Sequence, residues 1–325
     1  MSTVQLPPGA IRPPPYVVVF GPDANCTLQI CPVEISVYGY RPSLAANISF
    51  IALYAIASAI HIYLGVRWKQ WWFTGCMIIG AVNAIIGYVG RVLLYYNPFS
   101  FAAFVLQIIC ITTGPVYYCA AIYITLALAI NFLSPDLSRF KPKLFYYIFI
   151  PCDLFSLVVQ AAGGGLSTST KGQSQTGVNL ALVGLSFQVF TILLFCFFFG
   201  DYLIRYWRSG RWQDGVASRG DSATRLKLFF GFMVVAVLFT LIRCAYRLAE
   251  LNQGYRGHLI RDEPLFIAFE GVMVLGAVYC LMVGHPGLVF RPDQKLRPLA
   301  AGQDRTSGHS GQELTEHPSR KTTNQ

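Results

Sequence analysis

Long apolar runs separated by short polar connections recur along the chain, roughly at 44–66, 72–95, 102–131, 144–163, 178–203, 227–250 and 264–284. A helix needs about 20 apolar residues to cross the hydrocarbon core of a bilayer, and these runs reach that length. The pattern predicts an all-α polytopic membrane protein, a seven-transmembrane-helix bundle. It divides the chain into an extracellular tail (1–43), a membrane domain (44–290) and a disordered cytosolic tail (291–325) that is rich in Ser, Thr, Gly and Gln. Gly163-Gly164-Gly165 is expected to end helix four before an external loop, and His285-Pro286-Gly287 to end helix seven.

Within the apolar runs, the polar residues fall on single helical faces. Helix one carries Asn47, Tyr54 and His61; helix two Asn83, Gly87 and Arg91; helix four Asp153, Ser156 and Gln160; helix five Gly184, Gln188 and Thr191. The strongest concentration spans the end of helix six and the start of helix seven. Arg243, Tyr246, Arg247 and Glu250 share one face, and Glu263 and Glu270, seven residues apart, are expected to share another. Ionisable groups are costly in lipid, so they turn toward one another or toward a wet cavity. At 1.5 Å per residue Arg243 lies about 10 Å deeper than Glu250.

Together these stripes predict one polar interior leaning toward the outer leaflet. Arg91, Asp153, Gln160, Gln188 and Arg243 are expected to shape and polarise it. Arg247, Glu250, Glu263 and Glu270 are expected to pair with them or meet a ligand's head group. Two blander arrangements fit the same residues: an internal ion-pair lock that touches no ligand, and, for Asp153 with Gln160, simple hydrogen bonding between helices.

Charge gives the bundle a direction. The sequence is 54% hydrophobic and 12% charged, with a net charge of +10. Most of its basic residues gather on one side, in the connections near Arg67, Arg139 and 205–227 and in the tail after Arg291. The excess of Lys and Arg marks the cytosolic face, which places the N-terminus outside. That positive charge then faces anionic lipid, and no nucleic-acid partner is needed to explain it.

The proposed outer tail contains the sequon Asn25-Cys26-Thr27, a candidate glycosylation site. Cys26 and Cys31, its only cysteines, are suited to a disulfide in an oxidising compartment. The other seven cysteines lack metal-ligand spacing, and the five histidines fall at different depths or in the tail. No catalytic residue, metal or cofactor is expected. The glycine triplet is followed by no P-loop Lys-Ser/Thr, so it is not a phosphate cradle.

Several motifs resemble the fungal RTA-like family of lipid-translocating exporters associated with aminocholesterol and sphingoid-base resistance. They are G-Y-V-G-R (Gly87 to Arg91), Pro115 with Ala120 and Tyr123, D-x6-Q-A-A-G-G-G (Asp153 to Gly165) and G-L-S-F-Q (Gly184 to Gln188). R-C-A-Y-R-L-A-E, Gly254, Gly257, Glu263, Glu270 and H-P-G follow, so the likeness covers about residues 38 to 290. The chain departs from the family at Ala84, where an acidic residue is common, and at Glu270, where Asp is common.

The resemblance implies a plasma-membrane exporter of amphiphilic lipids of sphingoid-base, sterol or phospholipid type, conferring resistance to toxic amphiphiles. Porphyrin handling is a variant of the same class. The alternatives are a seven-helix lipid receptor signalling to a cytosolic partner through 204–227, and a membrane-embedded enzyme, which the scattered histidines disfavour.

Overall fold

The computed structural model of the protein describes residues 17–133, 135–139, 141–169, 175–209, 221–253 and 259–289. The prolines before residue 17, the basic stretch 210–220, Gly254, Gly257 and the tail from Arg291 lie outside the described residues.

Seven long apolar helices form, and the described residues contain no strand. They are α1 (Leu44–Trp68), α2 (Trp71–Tyr96), α3 (Phe101–Leu133), α4 (Pro142–Ser169), α5 (Gln175–Arg208), α6 (Asp221–Asn252) and a composite seventh span, α7 (Glu263–Val289). Consecutive helices pack side by side, and α7 closes the bundle by packing on both α6 and α1. The innermost helix is α3. It touches α2, α4 and α6 and buries residues on several faces, among them Ala121, Leu126, Ala129 and Ile130.

The bundle's outer surface carries exposed large apolar side chains such as Ile56, Val158, Phe190 and Trp207. Such a surface is stable against acyl chains, whereas in water it would be an aggregation patch. On helix one Asn47, Tyr54 and His61 all turn inward and are buried.

Local chemistry sets several ends. Ser43 caps α1, its side chain accepting from the Ala46 N–H. Lys69 closes the same helix in the left-handed region, at φ 54°, and lets α2 begin two residues later. The glycine triplet does not end α4, which runs through it to Ser169. A Cβ on Gly163 would collide with the backbone of Gly177 and Ala181 in α5, and one on Gly177 would collide with the backbone around Ser167. These glycines serve the close approach of two helices rather than a helix stop.

The seventh span is interrupted. A short helical turn, Glu263–Phe266, leads into a π-helical turn, Ile267–Val272, and only then into the regular helix Met273–Val283. Gly284 caps that helix just before His285, and Pro286–Val289 adds one more turn.

The segment before α1 folds back over the bundle. Cys26 and Cys31 form a disulfide buried against Phe99. Phe20 meets the rings of Phe101 and Phe104 edge-on, with centroids 5.4 and 5.3 Å away. Tyr38 packs with Leu94 and Phe104.

Candidate functional site

The face predicted on α6 forms and turns inward. Arg243 is fully buried; its Nε donates to Glu270 Oε2 at 3.1 Å and its Nη2 to the Ile111 carbonyl of α3 at 3.3 Å. One turn on, Arg247 Nε lies 3.1 Å from Glu270 Oε1, and its Nη1 donates to Glu250 Oε2 at 2.6 Å. Its Nη2 reaches Thr112 Oγ1 at 3.3 Å. Two arginines and two glutamates thus form a charge-balanced cluster joining α6 and α7, tied to α3. Arg243 Nη1 has no hydrogen-bond partner.

The π turn decides where the acids of α7 point. On a regular helix Glu263 and Glu270 would lie on one face. One extra residue rotates the remainder of the span by about 100° at 3.6 residues per turn. Glu270 faces α6, whereas Glu263 faces α2 and the start of α1: it accepts from the Ser43 N–H and sits 3.7 Å from Arg91 Nη2. The expectation that the two acids share a face is therefore corrected.

Arg91 heads a second, separate cluster. Its guanidinium lies 3.8 Å above the Phe266 ring and 5.5 Å from the Tyr38 ring, and donates to Tyr40 Oη at 3.2 Å. Burial pushes the phenols of Tyr38 and Tyr40 up, with the Arg91 cation opposing in each case, so both stay neutral. Gln107 on α3 donates to Tyr38 Oη at 2.8 Å.

Between these clusters and α4–α5 lies a cavity of about 200 Å³. Its polar lining comes from Tyr38, from Gln107, Thr112 and Thr113 on α3, Gln160 on α4, and Arg243, Arg247 and Glu250 on α6. Phe104, Ile108, Leu157, Leu185, Ile260 and Phe266 supply most of the apolar wall. Gln160 Nε2 donates to Gln188 Oε1 of α5 at 3.0 Å, which fixes the amide at the wall. Ile109 on α3 and Ala161 and Gly165 on α4 line the cavity and are also exposed, so it meets the bundle surface along the α3–α4 seam.

The profile of the family described as RTA1-like protein matches residues 77–293. The chain is 33% identical to the sphingoid long-chain base transporter RSB1 of Saccharomyces cerevisiae strain Lalvin EC1118, over 81% of this chain and 77% of that protein. The chain belongs to the RTA1-like family. It is also 28% identical to protoporphyrin uptake protein 1 of S. cerevisiae strain S288c, over 65% of this chain and 66% of the relative. Protein RTM1 of the same species is 27% identical over 64% and 65%. No solved structure matches. Seven membrane-long helices and this membership make the chain a multi-pass membrane protein.

Of the nine residues singled out in the sequence of this RTA1-like chain, Gln160, Arg243, Arg247 and Glu250 line the cavity. Glu270 and Gln188 stand behind them, holding the arginines and Gln160. Arg91 and Glu263 form the neighbouring cluster. Asp153 is buried apart from both, accepting from Tyr123 Oη at 3.0 Å.

Asn83, the nearest polar substitute for the family's acidic position at Ala84, does not enter the cavity. It is half-buried and donates to the Ile79 carbonyl of its own helix. Tyr38, Gln107, Thr112 and Thr113 are the cavity's unanticipated polar residues. Gln107 and Thr112 are visible as polar interruptions of an apolar helix, but Tyr38 gives no local signal, because only the tail's return over the bundle brings it in.

Proposed function

We propose that the protein moves amphiphilic lipids across the plasma membrane, with single-chain amines of the sphingoid-base type as the best-fitting class. The carrying observation is a mostly apolar cavity that opens along a helix seam and ends on an ion-pair cluster with one unsatisfied guanidinium N–H. A lipid hydroxyl or other acceptor oxygen suits Arg243 Nη1, and an ammonium group suits the Glu250 carboxylate. The acyl chain follows the apolar wall out through the α3–α4 seam. The activities for which the relatives are named, transport of sphingoid long-chain bases and uptake of protoporphyrin, support an amphiphilic cargo.

On this reading the disulfide-closed segment faces the exterior, which puts the Asn25 sequon on the glycosylated side, and the basic connections lie against anionic lipid. Removal of toxic amphiphiles then gives resistance. The lipid leaves chemically unchanged. The sequence has no ATP-binding motif, so movement is downhill or draws on an ion gradient.

The test is reconstitution in vesicles with a fluorescent sphingoid base. The protein is expected to speed passage between leaflets, and Arg243→Gln/Glu270→Gln to cut that rate at least tenfold while still reaching the membrane. Full activity in the double variant refutes the site. Binding with no movement makes the protein a sensor, and a new lipid product by mass spectrometry makes it an enzyme.

A further inference from the structure

Five carboxylate or guanidinium side chains are buried among the described residues of the spans: Arg91, Asp153, Arg243, Glu250 and Glu270. Four of them sit in ion pairs. Asp153 has no cation partner among the described residues. Oδ2 accepts from Tyr123 and Oδ1 has no hydrogen-bond partner, although the residue is only 1% exposed. An ionised carboxylate left alone at such a place is strongly disfavoured and neutralises by taking up a proton.

Its position relates it to the cavity. Asp153, Leu157, Gln160 and Gly164 follow one stripe of α4, and the last three line the cavity. The carboxyl group is therefore one turn, about 6 Å, beyond Leu157 along the helix. On α3 the cavity-lining Thr112 is followed, on the same face, by Cys119 and Tyr123, which reach Asp153. The titratable groups facing it are Tyr123 and Cys119 from α3 and Cys244 from α6. The guanidinium of Arg243, the neighbour of Cys244, is already engaged by Glu270 and the Ile111 carbonyl.

We infer that Asp153 is an exchange site at which a proton and the ammonium group of a cationic lipid compete for one carboxylate. This rests on the lipid-translocation reading above and extends it to coupling. When the head group descends past Leu157, the Asp153 O–H bond breaks, the proton leaves to water, and the carboxylate pairs with the ammonium group. The site thus stays neutral overall before and after exchange, one bound cation replacing the other, and a proton gradient can drive the lipid against its own.

The test uses the purified full chain in weakly buffered detergent with a pH-sensitive dye. The probe is N,N,N-trimethylsphingosine, whose fixed charge carries no proton of its own. The wild type is expected to release about one proton per lipid bound, Asp153→Asn to bind and release none, and Asp153→Glu to restore release. Should Asp153→Asn fail to fold, Tyr123→Phe replaces it, and must move the pH at which release is half-complete. Wild-type binding without proton release overturns the inference, as does undiminished release from Asp153→Asn or an unmoved midpoint in Tyr123→Phe. Absence of any lipid binding or movement refutes instead the translocation reading on which it rests.

Discussion

Arg243 shows what one residue does in this bundle. It is completely buried, and its partner Glu270 is nearly so. Removing Arg243 leaves Glu250 and Glu270 to share Arg247; breaking a buried pair costs up to about 3–5 kcal/mol, whereas removing both partners costs much less. Arg243→Gln is therefore expected to lower the melting temperature in detergent clearly, and Arg243→Gln/Glu270→Gln to recover most of that loss, since Arg247 keeps Glu250 as a partner. A double variant less stable than Arg243→Gln alone would contradict this account of the cluster. The α6 half of the cluster was legible, because spacings of three, four and seven put Arg243, Arg247 and Glu250 on one face. Its α7 half was legible only in composition. Spacing alone put Glu263 beside Glu270, and the partners Ser43 and Arg91 are set by tertiary contacts with no local signature.

At the scale of the element, the α4–α5 contact is the sharpest test of close packing. Gly163 is held against α5 backbone, which cannot yield as a flexible side chain would, so Gly163→Ala is expected to destabilise the bundle by roughly 1–3 kcal/mol, the usual cost of overpacking. Gly200, inside α5, has open space where a Cβ would go. Gly200→Ala should instead leave stability unchanged or raise it by up to ~1 kcal/mol through helix propensity. Thermal melts of the two variants decide the matter; similar losses in both would show that the contact is not limiting. The existence and order of seven helices were legible from hydropathy alone. Their ends were less so, since α4 and α5 continue several residues past the apolar runs on residues that hydropathy scores as loop. The glycine triplet misled for a physical reason: in a membrane bundle small residues mark contact as often as termination.

For the whole molecule, the folded-back segment makes the cavity's roof a long-range product. Tyr38 lines the cavity, while the Cys26–Cys31 disulfide anchors the same segment against Phe99. Closing a loop this short is worth about 2 kcal/mol by chain entropy. Cys26→Ser/Cys31→Ser is expected to speed amide hydrogen exchange between residues 17 and 40 while the seven helices keep their protection. Unchanged exchange would show that the aromatic contacts of Phe20 and Tyr38 suffice. The π turn of α7 binds the two ends of this design together. Because it throws Glu263 and Glu270 out of phase, one span answers arginines on two different neighbours, Arg91 on α2 and Arg243 on α6. Helix seven is in effect a crankshaft with two offset journals. Straightening that turn into a regular helix of the same length would bring the journals into line and force the span to abandon one arginine to keep the other.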